Sequence, residues 1–356
     1  MKILYLSNYP FGICFGGKEM QLQSYLTYIN KISQSKLFVK LLDWWDKAEL
    51  YNADILHLWG HGTYRHLIRQ IKIHRKGIKI VLSPTIYYKG WKYSKIAFFI
   101  GDNLPFPNFY KNVKYEIENS DIIIVNSESE KRMIEKKISK TSKIKVLHNA
   151  VDDDFNIIED SLKDIFLKKI GLKKFEYVLS VGMPDERKNS INMVKAFINV
   201  HKYINKKLVI IGSPRFIFEK NKKIFNELLK KHSEIIIHIP FLDKEKESHL
   251  LKSAYFNCAF HYLPSYIETP GIANLEALYF GKNIVVGDCP PVREYFGSKA
   301  IYCDPANIKS IEKALLEGNG LPYYNLENIE LVRKKYLYSI IVQQLVEIYK
   351  SLLINE

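Results

Sequence analysis

Apolar positions in this chain come in short solid blocks, not in strict alternation. Lys2–Asn8, Asp54–Trp59, Lys79–Ser83, Asp121–Ser127 and Lys143–Asn149 are rich in Ile, Leu, Val and aromatic residues and are bounded by turn formers. Such blocks are the strands of a parallel sheet covered by helices on both faces. After the first block, Met20, Leu22, Tyr25, Leu26 and Ile29 recur at helical spacing within Lys18–Ile29. The pattern restarts in the second half. Strands are expected at Glu176–Gly182, Lys207–Gly212, Ile235–Ile239, Ala254–His261 and Asn283–Gly287. Helices are expected at Asn189–Val200, Lys220–Lys231 and Lys244–Ser253. Asp152–Lys174 is charged and weakly periodic and reads as a linker, and Glu327–Ile354 reads as one closing helix. The fold class is therefore α/β, with two doubly wound domains expected at 1–165 and 166–334 and a helix at about 335–356.

One stretch, His261–Gly281, departs from plain strand or helix patterning. It opens as a loop with Pro264, Ser265 and Pro270, becomes a short helix through Leu275, Ala277, Leu278 and Phe280, and stops at Gly281. Glu268 precedes that helix and Glu276 lies inside it, eight residues on. Eight positions at about 100° each return to roughly the same side of a helix. Pro270, Gly271 and Ile272 stand where the helix begins. Free N–H groups and the positive dipole end suit a phosphate there. Two carboxylates suited to hydroxyl groups, around a phosphate site, point to a sugar–phosphate ligand. A second loop between strand and helix carries Gly12, Gly16 and Gly17. It matches neither GxGxxG nor a P-loop, so an anion-binding loop and a plain tight turn read equally well.

Composition narrows the partners. At 356 residues, with 47% hydrophobic and 26% charged residues, the chain is of the globular class and too long for one ordinary core. No apolar run reaches the roughly 18 residues of a spanning helix, and the first apolar block is too short for a signal peptide. Cys14, Cys258, Cys289 and Cys303 are scattered without metal-ligand spacing, which reads as a reduced, cytoplasmic chain without a zinc site or disulfide framework. Asp152-Asp153-Asp154 reads as a solvated acidic turn, so no metal is expected. The net charge of +15, with basic tracts at Arg65–Lys79 and Lys131–Lys145, suits an anionic membrane surface or a phosphorylated substrate. The same charge would suit nucleic acid, but no nucleic-acid module signature is present, so a membrane surface ranks above it. A Lys-rich compositional habit explains the charge equally well. Tyr87–Ile100 mixes aromatics with lysines and reads either as a membrane-surface or acceptor segment or as an ordinary covering loop and helix.

These residues together resemble a retaining glycosyltransferase of family 4, of the two-Rossmann GT-B fold. Phe15-Gly16-Gly17-Lys18-Glu19-Met20-Gln21 is similar to the family's GGxExQ start, and Lys145–Asp152 to its NGVD turn. Val178–Gly182 through Lys188-Asn189 is similar to its VGR…KG stretch, and Glu268–Glu276 to its EX7E motif in a Pro-Ser…Glu…Gly…Leu-Glu-Ala frame. The resemblance spans nearly the whole chain, in order. It implies two domains facing across a cleft, with the closing helix crossing back to the N-terminal one. It implies that Glu276 holds the ribose of a nucleotide-sugar donor and that Glu268 binds the sugar hydroxyls near the reacting carbon. Lys188 with Arg187 would stabilise the diphosphate, helped by amides at Gly271 and Ile272, with Pro270 beside them at the donor site, and by Gly16, Gly17 and Gly182. Phe241 and Leu242 would lie by the base. No metal or other cofactor is implied.

Two departures stand out. Met183 occupies the place of the family's Arg, for which Arg187 is a candidate substitute. Pro84-Thr85 follows the strand where relatives carry a sugar-contacting His, with His57 and His61 as candidates for that contact. The implied reaction moves a sugar to a glycan or lipid-linked acceptor in bacterial surface polysaccharide synthesis, at or near the inner face of the membrane. The other reading is a non-catalytic subunit of the same fold that binds a nucleotide-sugar or glycan.

Overall fold

The computed structural model describes residues 1–11, 16–32, 37–46, 50–86, 91–141, 143–242 and 246–354. Gly12, Cys14, Tyr87–Gly90 and the expected helix start at Lys244 lie outside them. The chain divides into two compact units, Met1–Ala150 with Tyr338–Glu356, and Val151–Leu337.

The first unit runs β1 (Lys2–Ser7), α1 (Gly17–Ile32), β2 (Phe38–Leu41), β3 (Ile55–Trp59), α2 (Arg65–His74) and β4 (Lys79–Ser83). It continues through α3 (Trp91–Asn103), α4 (Phe109–Asn119), β5 (Ile122–Val125), α5 (Glu128–Lys137) and β6 (Ile144–Val146). The strands form one parallel sheet in the order β2-β1-β3-β4-β5-β6. β3 and β5 are buried along their whole length, as their unbroken apolar blocks require. Leu4, Leu56, Leu82 and Ile123 fill the core on one face, and Ile3, Tyr5, Ile55 and Val81 that on the other. β2 lies in the apolar run Leu37–Leu42 but is not among the strands expected from the sequence, and neither is the second unit's edge strand over residues 300–303. β2 is four residues long and sits at the sheet edge with Phe38 exposed.

The second unit runs α6 (Ile165–Ile170), β7 (Tyr177–Val181), α7 (Ser190–Ile204), β8 (Lys207–Ile211), α8 (Glu219–Lys231), β9 (Ile236–Ile239) and α9 (Ser248–Asn257). It closes with β10 (His261–Leu263), α10 (Ile272–Tyr279), β11 (Ile284–Gly287), α11 (Pro290–Phe296), β12 (Ala300–Cys303), α12 (Ile308–Asn319) and α13 (Leu326–Lys335). Its parallel sheet has the order β12-β11-β10-β7-β8-β9, the doubly wound pattern with its reversal between β7 and β10.

Three boundaries differ from the sequence reading. The expected strand at Ala254–His261 is helix as far as Asn257 and strand only from His261. Ala254 and Tyr255 stand one helical turn beyond Leu250 and Leu251 and complete the buried face of α9. The expected linker contains α6, whose Phe166 and Leu167 are buried in the second unit's core. The unit accordingly starts at Val151 and not at 166. The expected closing helix is two helices. Tyr336 stacks on Tyr295 at 5.0 Å in the second unit, and α14 (Tyr338–Ile354) then belongs to the first. Along α14, Tyr338, Ile341, Val342, Leu345 and Tyr349 are buried in the core that holds Tyr5, Tyr25 and Ile29. Among the described residues no helix is long and apolar enough to cross a membrane.

Candidate functional site

In a doubly wound sheet, ligands bind beyond the carboxyl ends of the strands where the order reverses. In the second unit those ends are Gly182, after β7, and Pro264-Ser265, after β10. Gly182 has φ +140°, and a side chain on Gly212 at the end of β8 would stand 2.3 Å from the Gly182 carbonyl oxygen. Only glycines let these strand ends close on each other.

The loop from Met183 to Asn189 is fixed at almost every residue. Asp185 accepts from the Lys188 N–H at 2.5 Å, and its own N–H donates to Ser190 Oγ at 3.1 Å. Glu186 accepts the N–H groups of Ile217 and Phe218, both at 3.1 Å, and the Asn221 amide at 2.9 Å, so the head of α8 is capped by this loop. Asn189, at φ +58°, donates to the carbonyls of Pro264 at 3.1 Å and Pro305 at 2.7 Å. The Arg187 carbonyl accepts from the Tyr266 N–H, and its guanidinium donates to the Ile267 carbonyl, each at 2.9 Å. These bonds join the loop after β7 to the loop after β10.

Glu268, Lys188 and Arg187 meet at that junction. Glu268 Oε1 accepts from Lys188 Nζ at 2.6 Å, from the Arg187 guanidinium at 3.1 Å and from Ser265 Oγ at 3.1 Å. Glu268 is buried while Arg187 stays half-exposed. Burial alone would push the carboxyl up, but Lys188 and Arg187 outweigh it and hold Glu268 at about 2. The nearby Asp185 carboxyl is pushed up by its burial. Glu268 also faces the start of α10. A side chain on Gly271, at φ +86°, would lie 3.3 Å from Glu268 Oε2 and 3.0 Å from the Asn274 amide nitrogen. The carboxylate thus stands at a helix N-terminus and between two cations, and all three features select an anion.

Glu276 lies mid-way along α10, buried, with its Oε2 accepting from the Tyr255 hydroxyl at 2.7 Å. Helical arithmetic does not apply to Glu268, which stands in the loop ahead of α10. The folded loop, and not a shared helix face, sets its direction. Phe241, just past β9, is exposed, whereas its neighbour Leu242 is buried in the core. His261 lies beneath the cluster, with Nε2 accepting from the Val181 N–H at 3.3 Å. Burial, then the Lys188 charge, lowers its pKa to about 3, so it is neutral.

The remaining candidates lie in the first unit, whose strand order reverses between β1 and β3. The Gly16 N–H donates to Glu19 Oε2 at 3.0 Å, and Gly17 is the first residue of α1. Lys18 reaches Ser7 Oγ at 3.3 Å, Asn8 Oδ1 and Glu19 Oε1, so the glycine loop lies beside the end of β1. His61 is partly buried, with Nδ1 on the Pro84 carbonyl, and Thr85 beside it has φ +50°. His57 is a correction. Its side chain is fully buried, with Nδ1 on the Tyr349 hydroxyl at 2.6 Å and Nε2 on Ser83 Oγ at 2.8 Å. Both nitrogens are engaged inside the core, so His57 is a packing residue and no sugar or acceptor contact.

Ser265, Tyr255, Asp185 and Asn189 are given no site role in the sequence reading, yet they hold the site's charged groups. Ser265 stands in the Pro-Ser frame, which was the available signal. Tyr255 was hidden by the strand assignment of its segment. Among the described residues no group of three or more His, Cys, Asp or Glu side chains could hold a metal ion.

Residues 163–317, which contain this cluster, match the protein-family model described as glycosyl transferases group 1. No curated protein sequence matches the chain. Among solved structures, Anabaena HepE in complex with UDP-glucose is 13% identical, with a TM-score of 0.76 over 99% of this chain and 100% of that one. Sucrose-phosphate synthase from Thermosynechococcus elongatus is 14% identical, with a TM-score of 0.77 over 100% of each chain. WaaG, a glycosyltransferase involved in lipopolysaccharide biosynthesis, is 14% identical, with a TM-score of 0.65 over 98% of this chain and 99% of that one. The fold is the two-domain, Rossmann-like GT-B fold of these structures.

Proposed function

We propose that the protein is a glycosyltransferase that takes its sugar from a nucleoside-diphosphate sugar. The observation that carries this is the convergence of Glu268, Lys188 and Arg187 on the start of α10, at the switch point of a sheet within the matched region. In this reading Lys188 and Arg187 neutralise the diphosphate as it leaves, aided by the N–H groups at Gly271 and Ile272. Glu276, oriented by Tyr255, accepts from the ribose hydroxyls. Glu268 accepts from hydroxyls of the donor sugar, and Phe241 offers an exposed ring to the base. HepE was solved with UDP-glucose, which makes a UDP-sugar the first donor to try.

The transfer proceeds with retention and without a metal. The bond from the anomeric carbon to the diphosphate oxygen breaks, the acceptor oxygen bonds on the same face, and its proton passes to a donor phosphate oxygen. The acceptor is a glycan or a lipid-linked glycan of surface polysaccharide synthesis, reached at an anionic membrane surface. Exposed Ile96, Phe99 and Ile100, at helical spacing on α3, and exposed Phe106 just beyond it support that surface role.

The test is incubation with UDP-, GDP- and ADP-sugars and a panel of acceptors, with and without EDTA, following transfer and donor hydrolysis. Turnover of one donor class that survives EDTA is the expected result. Tight donor binding with neither transfer nor hydrolysis would identify a binding subunit instead, and loss with EDTA restored by manganese would overturn the metal-free site.

A further inference from the structure

We infer that Glu268 is the site's own counter-anion, occupying the position of the donor's diphosphate until that diphosphate displaces it. This rests on the donor-site reading above. The cradle has the parts of a phosphate site: a lysine, an arginine, a hydroxyl and a helix N-terminus. A carboxylate of the same chain already fills it. One oxygen, Oε1, takes all three side-chain donors, and Oε2 lies against Gly271 at the head of α10. The same carboxylate is assigned to the sugar hydroxyls during transfer. While Oε1 is shared by two cations and Ser265, that oxygen is closed to the sugar hydroxyls.

Diphosphate binding therefore exchanges partners. Lys188 and Arg187 turn to the phosphates, and the released Glu268 turns to the sugar. When the nucleoside diphosphate leaves, Glu268 returns to the cations and assists its departure. Other charged groups near Lys188 and Arg187 do not take this position. Asp185 is tied to the Lys188 N–H, and His261 is neutral beneath them.

A competitor within the site has an unusual consequence: removing a buried carboxylate tightens the product complex. Isothermal titration of UDP, GDP and ADP against wild type identifies the bound nucleotide. That nucleotide is then titrated into Glu268→Gln, Glu268→Ala and Glu276→Gln, each checked for folding by circular dichroism. The two Glu268 variants should bind the nucleoside diphosphate about tenfold more tightly, and the monophosphate with a smaller change. Stopped-flow release from both should be slower. Glu276→Gln should bind more weakly.

In a Lys188→Gln background the gain from Glu268→Gln should fall below about threefold, because the contested cation is gone. A gain of undiminished size there would mean simple charge repulsion and would overturn the displacement. Unchanged or weaker binding in both Glu268 variants, with Glu276→Gln weakened, would overturn the inference and leave the donor-site reading standing. Failure of every nucleoside diphosphate to bind wild type and Glu268→Gln would overturn that reading and the inference with it.

Discussion

Lys188 Nζ and Glu268 Oε1 stand 2.6 Å apart, and both side chains are nearly closed to solvent. The pair joins the loop after β7 to the loop after β10, the two strands between which the sheet order reverses. It is both the electrostatic centre of the site and a fastening between two loops. Those roles separate in the variants below.

Lys188→Ala should destabilise the second unit by about 3 kcal/mol. Removing one member of a buried pair strands the other charge, at roughly 3–5 kcal/mol, and Arg187 remains at 3.1 Å to soften the loss. Turnover should fall by a larger factor than donor affinity, because the charge on the leaving diphosphate grows in the transition state. Thermal unfolding and steady-state kinetics measure the two effects. A weakened donor affinity with unchanged kcat would mean that Lys188 binds the ground state and the transition state equally.

Tyr255→Phe should raise the donor KM with kcat nearly constant. The change deletes one hydroxyl that fixes Glu276 at 2.7 Å, a loss of about 1 kcal/mol, and leaves the stack of Tyr255 on Phe280 in place. A fall in kcat with an unchanged KM would contradict the assignment of Tyr255 as a positioning residue for donor binding.

The pH dependence of stability follows from Glu268. Its carboxyl is held at about 2 in the folded chain, below its ordinary 4.5. A depressed carboxyl stabilises the fold above its unfolded value, and this contribution is lost as pH falls through the folded one. The window is therefore about pH 4.5 down to 2, and the amount is about 3 kcal/mol. Melting curves of wild type and Glu268→Gln should converge as pH falls across that window. Parallel curves would show that Glu268 is not the group responsible.

The sequence made the architecture legible because buried parallel strands are solid apolar blocks. β4 and β8 start where the pattern begins, whereas two four-residue edge strands, β2 and β12, are absent from the sequence reading. The site was half legible. Glu268, Glu276 and Gly271 stand out by spacing and by position at a helix start, and Lys188 only through the family resemblance. Their supports do not: Asp185 acts through a local turn bond, and Tyr255 and Asn189 through bonds between separate segments. His57 misled for a related reason. A histidine within a strand looks reactive until the element packed over it is known, and that element is α14.

That last contact sets a prediction for the first unit. The Tyr349 hydroxyl bonds both Tyr5 Oη, at 2.7 Å, and His57 Nδ1, at 2.6 Å, and all three side chains are fully buried. Burial also lowers the His57 pKa to about 3, so the ring stays neutral and cannot replace the lost bond by taking up charge near neutral pH. Tyr349→Phe keeps the packing and leaves two polar groups in the core short of a partner, each worth roughly 1–3 kcal/mol. The melting temperature should drop, and amide exchange should speed up along α14 before it does in β7 or β10. Donor affinity should hold, because this network belongs to the first unit and the Glu268 cluster to the second. A variant with full stability but impaired sugar transfer would reverse the assignment and return His57 to the substrate.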